Sequence, residues 1–244
     1  MMQENKNIDL SGLKETIQRL ESGGGYGYEA SPISLGTSAV DDRLPWGGLA
    51  RGGLHEINGG NAGFGFHAGL LRRAAGADGC ILWCRHAKVE RETGLPYGPG
   101  LARFGLRAGQ FLFVRAKHPV DVLWAMEEGL RTPGLAAVVG DGIQPDFTAT
   151  RRLQLAAEAM NTPAFILPPL QKTTFASAAL TRWDIAAVLN KHRNKTMRWQ
   201  ANLRRCRGGA PKNWIIEWDE QTLRFDLAQI LADRTTAPDQ RQSA

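Results

Sequence analysis

Short apolar runs alternate with segments of helical periodicity between residues 54 and 167, and this alternation constrains the fold more than any other feature. The runs are continuous in hydrophobicity, which is typical of parallel strands that are covered on both faces. The predicted strands are residues 79–84, 110–115, 135–139 and 164–167, and the predicted helices are residues 119–131 and 150–160. The sequence therefore predicts an α/β fold with a mostly parallel central sheet flanked by helices.

The pattern changes after residue 169. Residues 180–185, 197–205 and 214–218 form shorter segments in which apolar and polar residues alternate, joined by glycine and proline. Such segments favour antiparallel strands and a hairpin. We therefore expect a C-terminal antiparallel extension within one domain of residues 31–233, and a disordered polar tail over residues 234–244.

Residues 1–30 form a separate unit in this interpretation. Five apolar residues recur there at helical spacing, namely Ile8, Leu10, Leu13, Ile17 and Leu20, and three glycines follow at positions 23–25. The pattern predicts a short amphipathic helix on a glycine-rich tether. Its apolar face could pack against its own domain or dock on a partner, and the sequence leaves both open.

A glycine-rich stretch follows the first apolar run, where an α/β nucleotide-binding protein carries its phosphate loop. Such a loop reads G-x-x-x-x-G-K-[ST], in which backbone N–H groups and the Lys hold phosphate and the hydroxyl binds Mg²⁺. The residues at issue here are Gly59, Gly60, Gly63, Gly65, Phe66 and His67. Gly60 and Gly65 have the required separation, but Phe66 and His67 replace the Lys and the hydroxyl. The sequence thus predicts a degenerate phosphate loop without ATP hydrolysis, and a merely flexible turn is the alternative. Phe64 and Phe66 would then either fill the vacated space or present a surface to a partner.

Positive charge is concentrated in one segment. The chain has a net charge of +6, and no Asp or Glu occurs between Ile185 and Ile216. The cations in that segment are Lys191, Arg193, Lys195, Arg198, Arg204, Arg205, Arg207 and Lys212. With Trp183, Trp199 and Trp214 interleaved, they could contact phosphates and stack on bases. Alternatively, the tryptophans belong to the core and the cations contact a protein partner.

Other sites are not indicated. The three cysteines, Cys80, Cys84 and Cys206, are too few and too widely spaced for a zinc site and are interpreted as buried thiols. No catalytic triad can be assembled from the histidines. The sequence predicts no catalytic residue, no metal and no cofactor. No apolar run approaches the ~20 residues of a membrane helix and the N-terminus is polar, so we expect a cytoplasmic protein.

The order of the glycine-rich stretch, the parallel strands and the C-terminal antiparallel segments resembles the RecA core. Residues 36–44 and 47–57 read GTSAVDDRL and GGLARGGLHEI, which is similar to the segment that leads into the phosphate loop of that family. The resemblance extends to about residue 227. It departs from the RecA pattern at Phe66 and His67, in the second strand, which carries no acid until Glu90, and at Asp141, the one candidate for the metal-binding Asp.

A RecA core with these losses is similar to the ImuA family of inducible, SOS-linked mutagenesis, with the strongest support at residues 47–57 and 204–218. This resemblance implies a non-catalytic accessory of translesion DNA synthesis. The implied partners are the polymerase relative ImuB and an error-prone C-family polymerase, with contacts to RecA, to DNA or to a second copy left open. By the same resemblance, the helix of residues 8–20 would dock on a RecA-like subunit.

Two other functions fit the same residues. SulA-type division inhibitors are also RecA-like, lack a phosphate loop and bind a tubulin-like GTPase. The second alternative function is that of a residual enzyme that binds nucleotide in an unusual way.

Overall fold

The computed structural model describes residues 31–169, 176–189 and 196–228. Two sets of predicted functional residues lie outside these ranges: the five apolar residues of the N-terminal helix, and the cations Lys191, Arg193 and Lys195. The predicted disordered tail of residues 234–244 lies outside them as well. The division of the chain into 1–30, 31–233 and 234–244 therefore stays a prediction.

Nine strands of the described residues form one sheet. They are β1 (Leu54–Asn58), β2 (Cys80–His86), β3 (Phe111–Ala116), β4 (Leu135–Asp141), β5 (Ala164–Leu167), β6 (Thr181–Ala187), β7 (Arg198–Cys206), β8 (Lys212–Asp219) and β9 (Arg224–Leu227). Their order across the sheet is β3-β2-β4-β5-β1-β6-β7-β8-β9. In this spatial order, the six strands β3, β2, β4, β5, β1 and β6 are each parallel to their neighbours within that group. The last three strands, β7, β8 and β9, each run antiparallel to the strand before them. The predicted mostly parallel sheet with an antiparallel C-terminal extension is confirmed.

Helices cover both faces of the parallel part. They are α1 (Ser38–Asp41), α2 (Gly60–Ala75), α3 (Ala87–Thr93), α4 (Gly98–Ala102), α5 (Pro119–Arg131) and α6 (Phe147–Met160), with a 3₁₀ turn at Ala108–Gln110. α5 begins at a proline, which suits the first helical position. α6 begins after Asp146, whose carboxylate accepts a hydrogen bond from the N–H of Ala149 at 2.8 Å.

Alternate residues of each central strand face two separate apolar layers. Ile81 and Trp83 of β2 pack in the layer with α2, whereas Leu82 and Cys84 pack in the layer with α5 and α6. The α2 layer continues under the antiparallel strands, where Trp199 and Trp218 are buried. The central strands are thus buried on both faces, as their continuous apolar sequences predict.

Two expectations about the strands need correction. β3 was expected to be covered on both faces, but it is an edge strand in which Leu112 is 55% exposed and Phe113 is 47% exposed. β6, expected among the antiparallel strands, pairs parallel with β1 and antiparallel with β7. Position in the sheet is set by long-range pairing, which the local pattern does not contain.

Candidate functional site

The glycine-rich stretch does not form a loop of phosphate-binding length. β1 ends at Asn58 and α2 begins at Gly60, so Gly59 alone connects them. Gly59 has a φ of +134°, and a Cβ there would lie 2.2 Å from the carbonyl oxygen of Ile185. The remaining residues of the motif, Gly63, Gly65, Phe66 and His67, lie within α2. The predicted loop architecture is therefore wrong, and so is the alternative of a flexible turn, because these residues are helical.

Phe66 takes the position that corresponds to the phosphate-binding Lys, and it is fully buried. Its ring centroid lies 5.7 Å from that of Trp183, 6.3 Å from that of Trp199 and 5.1 Å from that of Phe225. Phe66 is thus a core residue that ties α2 to the antiparallel strands. The interpretation that Phe66 fills space is correct, whereas a partner-binding role for its side chain is excluded by burial.

His67, which corresponds to the Ser or Thr of the motif, is also fully buried. Its ring packs against Trp83 and Phe165 at centroid distances of 5.5 and 5.0 Å. Among the described residues, neither ring nitrogen has a hydrogen-bond partner. Burial lowers the pKa of His67 to about 3, so the ring is neutral at physiological pH. A hydroxyl-like metal ligand is absent at this position.

An ion pair joins the ends of β2 and β4, where a RecA-type ATPase carries its acids. Arg85 Nε lies 2.9 Å from Asp141 Oδ2, and both side chains are about nine-tenths buried. The indole N–H of Trp83 donates a second contact to Asp141 Oδ2 at 3.2 Å. The same guanidinium also donates to the Thr93 hydroxyl at 2.7 Å. Burial raises the pKa of Asp141, and Arg85 and Trp83 oppose that shift. The candidate metal-binding carboxylate is therefore neutralised by the protein itself.

The cations of the basic segment that the structure describes do not form one open patch. Arg198 is paired with Glu217 at 2.7 Å, and the Arg205 guanidinium donates to the carbonyl oxygen of Ser177. Arg204 and Arg207 make looser ion pairs, Arg204 with Asp184 at 3.3 Å and Arg207 with Glu158 at 4.0 Å. Lys212, at the start of β8, is exposed. Only part of the predicted charge is therefore available to a ligand.

The three tryptophans of this segment are in the core. Trp183, Trp199 and Trp214 are 0%, 4% and 9% exposed. They lie on the α2 side of the sheet, and the charged residues of the same strands alternate to the opposite side. Stacking of these rings on nucleic-acid bases is excluded in this conformation, so the expectation of base stacking is wrong.

Sequence reasoning missed an exposed apolar surface. Val120 and Trp124 on α5 are each 66% exposed, and Leu112 and Phe113 project from the sheet edge at β3. Val120 and Trp124 are four residues apart and so share a helix face opposite the buried Val122. That spacing was the available signal. The β3 residues gave none, because an apolar run does not reveal whether its strand lies at an edge.

Two other features are absent from the part of the chain that the structure describes. No group of three or more His, Cys, Asp or Glu side chains comes together there in a way that could hold a metal ion. None of the helices in that part of the chain is both long and apolar enough to cross a membrane.

The fold defines an α/β protein with a mostly parallel sheet flanked by helices, and the positions that correspond to the phosphate-binding and metal-binding residues of the RecA pattern are buried or paired with an arginine. No family model matches the chain. It is similar to Protein ImuA of two strains of Caulobacter vibrioides, with 32% identity over 230 residues in each case. The match covers 84% of this chain and 92% of that protein. The chain belongs to the ImuA family, and membership associates it with damage-inducible mutagenesis.

Proposed function

We propose that this chain is a non-catalytic accessory of SOS-induced translesion DNA synthesis that acts in the cytoplasm. It bridges an ImuB-type polymerase relative and an error-prone C-family polymerase, and it contacts RecA, DNA or a second copy of itself as further partners. The observation that carries the proposal is the replacement of the nucleotide-binding groups by Phe66 in the core and by the Arg85–Asp141 ion pair. A protein built in this way assembles its partners without a nucleotide cycle.

Exposed apolar side chains support a protein-binding role. Trp124 and Val120 on α5, and Leu112 and Phe113 on β3, are apolar side chains that are between 47% and 66% exposed. Aromatic residues of this kind are enriched at the centres of protein interfaces. Such side chains on α5 and on the neighbouring sheet edge are suited to contact a protein partner.

The bridge is tested by capture. The ImuB-type protein is immobilised, and retention of the C-family polymerase is measured with and without this chain, and with and without ATP and Mg²⁺. We expect retention only when the chain is present, to the same extent with and without nucleotide. Retention that requires ATP, or direct retention that needs no third protein, contradicts the proposal.

Two variants separate the alternatives. A chain that lacks residues 1–25 should lose association with RecA if the N-terminal helix docks there, and unchanged association rejects that role. ATP turnover by the wild type that is abolished by Asp141→Asn, in a variant shown to be folded by circular dichroism, would favour a residual enzyme. No observation favours the SulA-type function over the ImuA family role.

A further inference from the structure

An open groove of about 480 Å³ lies where β7 ends and β8 begins. Its lining residues are Asn202, Leu203, Arg204, Pro211, Lys212 and Asn213. Leu203 is buried, and the other lining residues include two cations, Arg204 and Lys212, and two side-chain amides, Asn202 and Asn213. Guanidinium, ammonium and amide groups all donate hydrogen bonds, and the first two also carry positive charge. The lining therefore matches an anion with several acceptor oxygens.

A β-bulge sets Arg204 apart from its neighbours. The pairing of β6 with β7 passes from Arg182↔Arg205 to Trp183↔Leu203, so Arg204 is the extra residue and has no register partner. Bulges of this kind redirect a side chain and are common beside binding sites. The Arg204 side chain is 66% exposed, and its ion pair with Asp184 is exposed as well. Exposed pairs are weak, so a phosphate can replace Asp184 as the partner of this guanidinium.

A row of polar side chains leads from the centre of the sheet to the groove. Asn58, Asp184, Asn202 and Asn213 are successive register partners across β1, β6, β7 and β8. Asn58 Nδ2 donates to Asp184 Oδ1 at 3.0 Å, so the one carboxylate of the row is already engaged within the sheet. Asn202 and Asn213 lie at the groove end, where their amides can donate to an anion.

We propose that this groove binds the phosphate backbone of DNA, an inference that rests on the DNA contact included in the proposed function and assigns it a site. Binding is independent of base sequence, because Trp183, Trp199 and Trp214 are buried and no exposed aromatic lines the groove. An acidic protein segment is the other anion to consider. It is disfavoured because the groove has no exposed large apolar side chain to anchor a protein interface.

The test is a salt titration of the full chain with fluorescein-labelled oligothymidine and with a mixed-sequence duplex, followed by anisotropy. If Arg204 and Lys212 each neutralise one phosphate, the variant R204A/K212A loses two counterion-release contributions. The slope of log K against log salt then falls in magnitude by about 1.4 with the single strand and about 1.8 with the duplex. At 0.1 M salt the affinity falls about 25-fold and about 60-fold respectively. Asn213→Asp, which keeps both cations and adds a negative charge, should weaken binding by about tenfold.

The control is Arg91→Ala, which removes an exposed cation on α3 and should leave the slope unchanged. The helix α3 packs on β2, which lies five strands away from β7. Unfolding midpoints of all variants are compared with the wild type to confirm the fold. A wild type that binds DNA while R204A/K212A keeps its slope and affinity overturns the groove and leaves the bridging function intact. A wild type that binds no DNA, with R204A/K212A losing capture of the polymerase, assigns the groove to an acidic protein and also overturns the proposal. Failure of the bridge itself appears only in the capture experiment, so the two failures are distinguishable.

Discussion

Replacement of His67 by Leu should stabilise the protein at neutral pH, although it changes a fully buried residue. Both ring nitrogens of His67 lack a hydrogen-bond partner among the described residues, and the ring is enclosed by Trp83 and Phe165. An unsatisfied buried polar group costs about 1–3 kcal/mol, and leucine has a similar volume without that cost. We expect the free energy of unfolding at pH 8 to rise by about 1–3 kcal/mol.

The same substitution should change the pH dependence of stability. Burial lowers the pKa of His67 to about 3 and that of His55 to about 4, from 6.5 in the unfolded chain. A depressed pKa in the folded state means that the unfolded chain binds more protons, so stability is lost as pH falls below 6.5. At pH 5 each histidine lies 1.5 units below its unfolded pKa, which corresponds to about 2 kcal/mol. The wild type should therefore lose about 4 kcal/mol from these two groups between pH 8 and pH 5, and His67→Leu about 2 kcal/mol.

The assay is guanidinium unfolding at pH 8 and pH 5, followed by tryptophan fluorescence. Because carboxylates titrate alike in both proteins, the difference between them isolates His67. His55→Leu is the matched control, since His55 is equally buried but contacts the Thr181 hydroxyl at 2.8 Å and the Ala50 carbonyl at 2.9 Å. That variant should be destabilised at pH 8 by about 1–3 kcal/mol, because the hydrogen bonds are lost. Equal pH dependence in the wild type and His67→Leu, or destabilisation of His67→Leu at pH 8, would refute the reasoning.

Three further predictions concern the same region. Arg85→Met and Asp141→Asn should each lower the unfolding free energy by about 3–5 kcal/mol, because each leaves a buried partner unpaired. The double variant should recover most of that loss. Additive losses in a double-mutant cycle would contradict a coupled pair. Gly59→Ala should lower the thermal midpoint strongly because its Cβ meets a backbone oxygen at 2.2 Å, whereas Gly109→Ala, with nothing within 4 Å, should change it little. Phe66→Lys, which restores the missing Lys, should yield an unfolded or destabilised protein and no ATP binding in calorimetry, because residue 66 faces the core.

Hydrophobic periodicity determined the elements of the fold. The helix predicted at residues 119–131 and the strand predicted at 164–167 have the bounds observed in α5 and β5, and the other elements predicted within the described residues differ by a few residues. The strand β9 was not predicted, because its sequence RFDL has only two apolar residues, whereas the equally short β5 is a continuous apolar run. Local patterns succeed here because backbone geometry alone sets the spacing of buried side chains along a helix or strand.

The sequence predicted which residue types occupy the candidate site, but it did not predict their contacts. The absence of Lys and Ser/Thr at Phe66 and His67 could be read directly. The ion pair between Asp141 and Arg85 could not be predicted from the sequence. Arg85 lies far away along the chain and comes next to Asp141 only because β2 pairs with β4. Burial of Trp183, Trp199 and Trp214 likewise depends on which face α2 covers.

The sequence by itself determined the class of fold, the loss of the phosphate-binding residues and the concentration of positive charge, because each of these depends on residue type and near-neighbour spacing. Only the tertiary structure decided that Gly59 makes the whole turn into α2, that β3 is an exposed edge, and that Arg204 and Lys212 share a groove. These features follow from strand order and register. Order and register are set by contacts between distant segments, and no local pattern records them.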